Sequence, residues 1–226
     1  MRLLDLYSCE GGAAAGYAAV GFEVVGVDTN PRVAKRYPFE FHTADAIDYA
    51  KAHAHQYDVI HASPPCQHAS AGTRYRDRTR YPALIEPTRD ALAATGKPYV
   101  IENVAGSALL NPVLLCGTMF ELTAVDDDGT LLHLQRHRLF ESNMALTALE
   151  HTHPPGVQWA GSYGGARRDK HEARNIRHGG YVPSIAVQQQ LLGIDWMTQY
   201  GMHQSLPPAY TAHIGWQLIT ALEAAA

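Results

Sequence analysis

The stretch "RLLDLYSCEGGAAAGYAAVGFEVVGVD", residues 2 to 28, decides how the chain is read. "RLLDLY" suits a short buried strand, and the turn after it, "SCEGGAAAG", is rich in glycine. "AAAGYAAVG" suits a small-residue helix, and "FEVVGVD" a second strand ending on Asp28. A strand, a glycine turn, a helix and a strand with a terminal acid suit a nucleotide-like ligand. The glycines let backbone approach it, and the carboxylate takes ribose hydroxyls. The glycines do not follow G-x-G-x-x-G, and there is no P-loop lysine, so a dinucleotide or ATP is a poor match.

The alternation continues outward. A short helix is expected at "PRVAKRY", a strand at "FEFHTAD" ending on Asp45, and a helix at "IDYAKAHA". A fourth strand is expected over residues 57 to 62, a helix over 84 to 95, and a fifth strand at "KPYVIENV". "VLLCGTMFEL" and "LLHLQRHRLFES" read as two further strands separated by the turn "DDDG". Residues 142 to 182 lose the pattern. Order returns at "SIAVQQQLLGI" and in a C-terminal helix, "PPAYTAHIGWQLITALEAA", with proline near its start. Strands alternating with helices imply a mainly parallel sheet with helices on both faces. Three segments are expected: a catalytic and cofactor-binding core at 1–141, a small irregular region at 142–182, and a return to the core at 183–226.

In "VIHASPPCQHAS", residues 59 to 70, an apolar strand runs into two prolines that must end it. Cys66 then falls just beyond a strand end, where open α/β sheets bind ligands. Asp28, Asp45 and Glu102 fall at equivalent strand ends and would converge with it on one edge of the sheet.

At 226 residues with 46% hydrophobic and 18% charged content, the chain reads as an ordinary globular protein. No apolar run is long enough to span a membrane, and Asp5 interrupts the N-terminus too early for a signal peptide. The three cysteines, Cys9, Cys66 and Cys116, show no C-x-x-C spacing and read as free thiols in a reducing, cytoplasmic compartment. The net charge of −4 does not suggest a nucleic-acid binder, yet "RYRDRTR" (74–80) and "ARRDKHEARNIR" (166–177) each carry a local +3. Such patches can supply phosphate contacts, although solvated polar loops look the same. Cys116 reads as a buried core thiol. His151 and His153 have no cysteine or carboxylate partner at ligand spacing, so no metal is expected.

Taken together, these motifs resemble the cytosine-5 DNA methyltransferases, particularly the compact phage and bacterial type. "DLYSCEGG" looks like that family's cofactor loop, "SPPCQ" its nucleophile loop and "ENV" its catalytic glutamate motif. "RHRLFE" resembles its paired-arginine strand and "LPPAYTAHIG" its closing helix. The resemblance spans residues 3 to about 141 and 190 to 220. It implies a Rossmann-like S-adenosylmethionine-dependent fold with a small target-recognition region, acting as a monomer on double-stranded DNA.

By that resemblance Cys66 adds to carbon 6 of a flipped-out cytosine, making carbon 5 nucleophilic. Glu102 binds or protonates ring nitrogen 3, and should be partly desolvated to hold that proton. Arg138, and less directly Arg136, contact the base oxygen or lower the thiol pKa. Tyr7 lies against the adenine, Asp28 takes the ribose hydroxyls and Asp45 accepts from the exocyclic amine, although Asp45 also reads as a helix N-cap. Gly11 and Gly12 give the methionine portion close backbone approach, and Ser8, Cys9, Thr29, Ala46 and Pro64 complete the cofactor set. DNA contacts are expected at Gln67, Ser70, Arg74, Arg76, Arg78, Tyr163, Arg167, Arg168 and Lys170.

Three features depart from the pattern. Cys9 stands where the family usually has glycine, His203-Gln204 where it has Gly-Asn, and Gln135 directly precedes Arg136 instead of lying one residue away. An RNA cytosine methyltransferase of the same fold and a catalytically silent nucleic-acid binder are the alternatives. Intact Cys66 and Glu102 argue against the silent binder.

Overall fold

The computed structural model describes residues 1–68, 81–162 and 181–225. Among the described residues the strands form two sheets. In the larger, β1 (Arg2–Leu6), β2 (Glu23–Asp28), β3 (Glu40–Thr43), β4 (Val59–Ala62) and β5 (Tyr99–Asn103) run parallel in the order β3-β2-β1-β4-β5. β6 (Val113–Leu115) is the outermost strand beyond β5, and β9 (Arg138–Ser142) runs antiparallel between the two.

Neighbouring strand residues point to opposite faces. Leu3, Val24, Val59, Val100 and Phe140 therefore pack on one side, under α1 (Gly12–Ala19) and α6 (Pro208–Ala225). Leu4, Val25, Ile60 and Ile101 pack on the other, under α2 (Ala46–His53) and α3 (Ile85–Ala94). The chain thus has the expected α/β architecture. α1 is made of small residues because the C-terminal segment lies directly on it. A Cβ on Gly12 would sit 2.6 Å from the Leu206 carbonyl oxygen, and the Thr211 hydroxyl donates to the Ala13 carbonyl at 2.8 Å.

The smaller sheet has the order β10-β8-β7. β7 (Thr123–Val125) and β8 (Leu131–Leu134) form the hairpin expected at "DDDG", and β10 (Gln158–Ala160) lies parallel to β8. Ala124, Leu132, Leu134 and Ala160 pack there against Val187, Leu191 and Leu192 of α4 (Ile185–Leu192) and Met202 of α5 (Gln199–Gln204). This sheet draws strands from both the first and the second of the expected segments.

Two expected strands are each broken. "VLLCGTMFEL" gives β6, then a 3-10 turn over Gly117–Phe120, where Gly117 lies so close that a Cβ would meet the Leu134 side chain at 2.8 Å. "LLHLQRHRLFES" divides at Gln135–His137, with β8 joining the small sheet and β9 the large one. The break exists because Arg136 turns inward and is 1% exposed. The helix expected at "PRVAKRY" is a single 3-10 turn over Val33–Lys35.

Candidate functional site

The carboxyl edge of the large sheet gathers the residues that the motifs single out. Pro64 and Pro65 end β4, and Cys66 opens a 3-10 turn over Cys66–His68. The Asn103 amide donates to the Pro64 carbonyl at 2.9 Å, and the Val104 N–H donates to Asn103 Oδ1 at 3.0 Å. "ENV" therefore fastens "SPPC" to the end of the neighbouring strand.

Glu102 is buried, and Arg138 Nε lies 3.1 Å from its Oε1. Burial pushes the Glu102 carboxyl up from its ordinary pKa, while Arg138 and a hydrogen bond with Ser63 pull the other way. Burial likewise raises the Cys66 thiol, opposed chiefly by Arg138. Behind Ser63, its hydroxyl lies 3.0 Å from His61 Nε2, and His61 Nδ1 lies 3.0 Å from the Tyr17 hydroxyl. Burial lowers the His61 pKa to about 3, so this ring is neutral and positions Ser63 through hydrogen bonds alone. Nothing in the apolar pattern of "VIHA" marks His61 for that part.

Cys66, Glu102 and Arg138 line one part of a cleft of about 230 Å³; Tyr7, Cys9, Asp28 and Thr29 line another, and Pro64, Gln67, Tyr200 and Gln204 also border it. Asp28 Oδ2 accepts from the Cys9 N–H at 3.0 Å and Oδ1 from the Asn30 N–H at 2.9 Å. Each oxygen keeps further acceptor capacity toward the cleft. Tyr7 and Cys9 hold left-handed backbone, with φ of 58° and 47°. That accounts for glycine suiting position 9, and a cysteine accepts the strain at a cost of about 1 kcal/mol. Burial pushes the Cys9 thiol up to about 12. Ser8 Oγ is buried without a protein partner in a recess beneath this turn.

Other expected site residues are placed differently. Asp45 Oδ1 accepts from the N–H groups of Ile47 and Asp48 at 2.9 and 3.0 Å, the N-cap of α2, and Ala46 is packed in the core beside it. Neither lines the cleft. Gly11 has φ of 88°, and a Cβ there would meet Pro38 at 2.8 Å; with Gly12 against Leu206, both glycines are required by protein contacts. Arg136 does not line the cleft either. It donates to the carbonyls of Ser162 (2.6 Å), His203 (2.9 Å) and Ser205 (2.8 Å), fastening three segments together. Ser70, Arg74, Arg76, Arg78, Tyr163, Arg167, Arg168 and Lys170 lie outside the described residues.

Glu10 is a residue that motif reading passes over. Its carboxylate accepts from the Thr198 N–H and hydroxyl, both at 2.7 Å, and its carbonyl accepts from Trp196 Nε1 at 2.9 Å. The turn after β1 is thereby bolted to α5, which carries Gln204 into the cleft. A second correction concerns His151 and His153, which do have a cysteine partner. Cys116, His137, His151 and His153 bring their ligand atoms within 4.8 Å of one another.

No protein-family model matches the chain, and no curated protein does. Among solved structures, it resembles a protein described as a DNA modification methyltransferase encoded within an Escherichia coli prophage, with 13% identity, TM-score 0.63, and 99% of each chain covered. It also resembles the methyltransferase EhMeth of Entamoeba histolytica, with 12% identity, TM-score 0.61 and 98% of each chain covered. Schizosaccharomyces pombe Dnmt2 methyltransferase is a further match at 14% identity and TM-score 0.58, over 98% of this chain and 99% of that one. The chain therefore has a methyltransferase fold over nearly its whole length, as the motifs imply. Among the described residues no helix is long and apolar enough to cross a membrane.

Proposed function

We propose that the protein is a cytosine-5 methyltransferase acting on double-stranded DNA, with S-adenosylmethionine as donor and Cys66 as covalent nucleophile. The observation that carries this reading is the meeting of Cys66, Glu102 and Arg138 in one cleft with Asp28, Tyr7 and Cys9. The cleft suits such a donor: Asp28 offers spare acceptor capacity for ribose hydroxyls, and buried Ser8 Oγ, without a protein partner, offers a hydrogen-bonding group below the turn. Tyr7, Cys9, Asp28 and Thr29 would hold the donor, which supplies an electrophilic methyl group when bound.

Cys66 Sγ, once deprotonated, adds to carbon 6 of an extruded cytosine, and the electron pair of the 5,6 double bond moves toward carbon 5 and nitrogen 3. Protonated Glu102 gives its proton to nitrogen 3 and takes up the developing charge. Arg138 then stands between two needs, holding the ionised Glu102 and favouring the Cys66 thiolate. After carbon 5 has taken the methyl group, its proton passes to solvent, Cys66 leaves as the thiolate and nitrogen 3 returns its proton to Glu102, which restores the ring. Burial raises the Glu102 carboxyl, which favours the protonated form that the first proton transfer needs.

Duplex DNA carrying 5-fluorocytosine tests this, because fluorine at carbon 5 blocks the final elimination. Wild type with S-adenosylmethionine should give a complex that resists denaturant, and Cys66→Ala should give none. Methylation that persists in Cys66→Ala would remove the covalent step. Methylation of RNA but not of DNA would instead reassign the substrate.

A further inference from the structure

We infer that Cys116, His137, His151 and His153, none of which lines the catalytic cleft, form a structural zinc site at the junction of the two sheets. His153 Nε2 lies 3.5 Å from Cys116 Sγ, 3.2 Å from His137 Nε2 and 3.0 Å from His151 Nε2. A single imidazole nitrogen has one proton or one lone pair, so it cannot satisfy three such neighbours by hydrogen bonding. A cation at their common centre does, because every group can then turn its lone pair inward.

The dimensions fit. Zinc binds nitrogen at about 2.0–2.1 Å and sulfur at about 2.3 Å, which places tetrahedral ligand atoms roughly 3.3–3.6 Å apart. The three contacts lie within a few tenths of an ångström of that range. All four ligand atoms lie within 4.8 Å of one another, and His151 and His153, both exposed, have room to draw in the wider pairs. One thiolate with three imidazoles suits zinc better than magnesium or calcium, which prefer oxygen. Four protein ligands leave no open position, so the site is structural.

The surroundings supply a supporting shell. Gln135 Nε2 lies 3.4 Å from His153 Nδ1. With Nε2 on the metal, Nδ1 carries the proton, and a flip of the Gln135 amide turns its oxygen to accept it. Cys116 follows β6, His137 sits in the break between β8 and β9, and the other two histidines precede β10. A metal here would tie the outer strand of the large sheet to the approach to the small one. It would also pin His137, between Arg136 and Arg138. The ligands are 21, 14 and 2 residues apart, a spacing matching no local metal motif.

The test uses the full-length, untagged chain, since a histidine tag would add sites of its own. Purified from zinc-supplemented growth and dialysed, it should carry about one zinc per chain by elemental analysis. His151→Ala with His153→Ala, changed at exposed positions that leave the fold intact by circular dichroism, should carry at least tenfold less. Cobalt(II) added to the metal-free chain should give the near-ultraviolet thiolate band and the visible absorption of a four-coordinate ion, and Cys116→Ser should lose the thiolate band. Wild type holding no more zinc than the double variant would overturn the proposal. So would cobalt bound without any thiolate band, which would place the ion on other histidines.

Discussion

In the large sheet Leu3 and Leu4 send adjacent side chains to opposite faces, and each face has its own helices and apolar cluster. In the small sheet, among the described residues, only one face is closed: Ala124 and Leu132 are buried, while their neighbours Val125 and Leu131 are more than half exposed. The large sheet is specified by a repeating apolar pattern, and loses little definition if any one polar group is changed. The small sheet is located by a few buried polar groups at its border, chiefly Arg136 and Glu10. Its placement against the cleft therefore depends on residues that an apolar pattern does not reveal.

The strongest way to break this comparison is Arg136→Met, which keeps much of the volume and removes the donors. The carbonyls of Ser162, His203 and Ser205 lose a partner, at about 1–3 kcal/mol for each that stays buried and unpaired. Urea denaturation should show a loss of about 3–5 kcal/mol in all, since some carbonyls will find water. A loss below about 1 kcal/mol would mean that apolar packing places the small sheet after all.

A smaller effect is expected from Asp28→Ala in the large sheet. It should leave the fold in place and weaken S-adenosylmethionine binding by about 1.5–3 kcal/mol, read by calorimetry. Unchanged affinity would take Asp28 out of the donor site.

An effect that appears only as pH rises concerns Asp5, buried in β1 with the Tyr37 hydroxyl 3.2 Å from Oδ2 and, among the described residues, no partner for Oδ1. Burial raises its pKa from 3.8 to about 8. The stability of its neutral form is complete below about pH 4 and is lost as pH climbs toward 8. Asp5→Asn stays neutral throughout, so its advantage over wild type should be small near pH 4 and should then grow by about 1.4 kcal/mol for each pH unit climbed, to several kcal/mol near pH 8. Melting both proteins across that range checks this: a gap that widens with pH shows that burial governs the carboxyl, and a gap that stays constant would refute it.

Residues 2 to 62 were legible because glycine, proline and two-residue alternation punctuate each element. The meeting of Cys66 and Glu102 on one edge was legible too, since each falls at the end of an expected strand, whereas Arg138 was singled out only by the resemblance that "RHRLFE" carries. "LLHLQRHRLFES" was not, because the four polar residues Gln135 to Arg138 look like a solvent-facing stretch, and nothing in the sequence marks Arg136 as the one that turns inward. The part played by Glu10 was hidden for a related reason: its partners at 196 and 198 are far along the chain. Cys116 and His153 show the same limit, since spacing along a sequence reports nothing about atoms brought together by two different sheets.

The reversed direction of β9 has a further consequence. The parallel strands run with their last residues toward the cleft edge, but β9 offers its first, so Arg138 meets Glu102 before the strand has properly begun. Five residues later the chain stands at the opposite rim, roughly 17 Å away at about 3.3–3.4 Å per residue. It must then travel back to reach β10. Residues 143–157 make that journey along the outside of α6, where Thr147 is gripped by Gln217 and His213. Reversing one strand thus creates a long overland route, and the two exposed histidines stand near its destination.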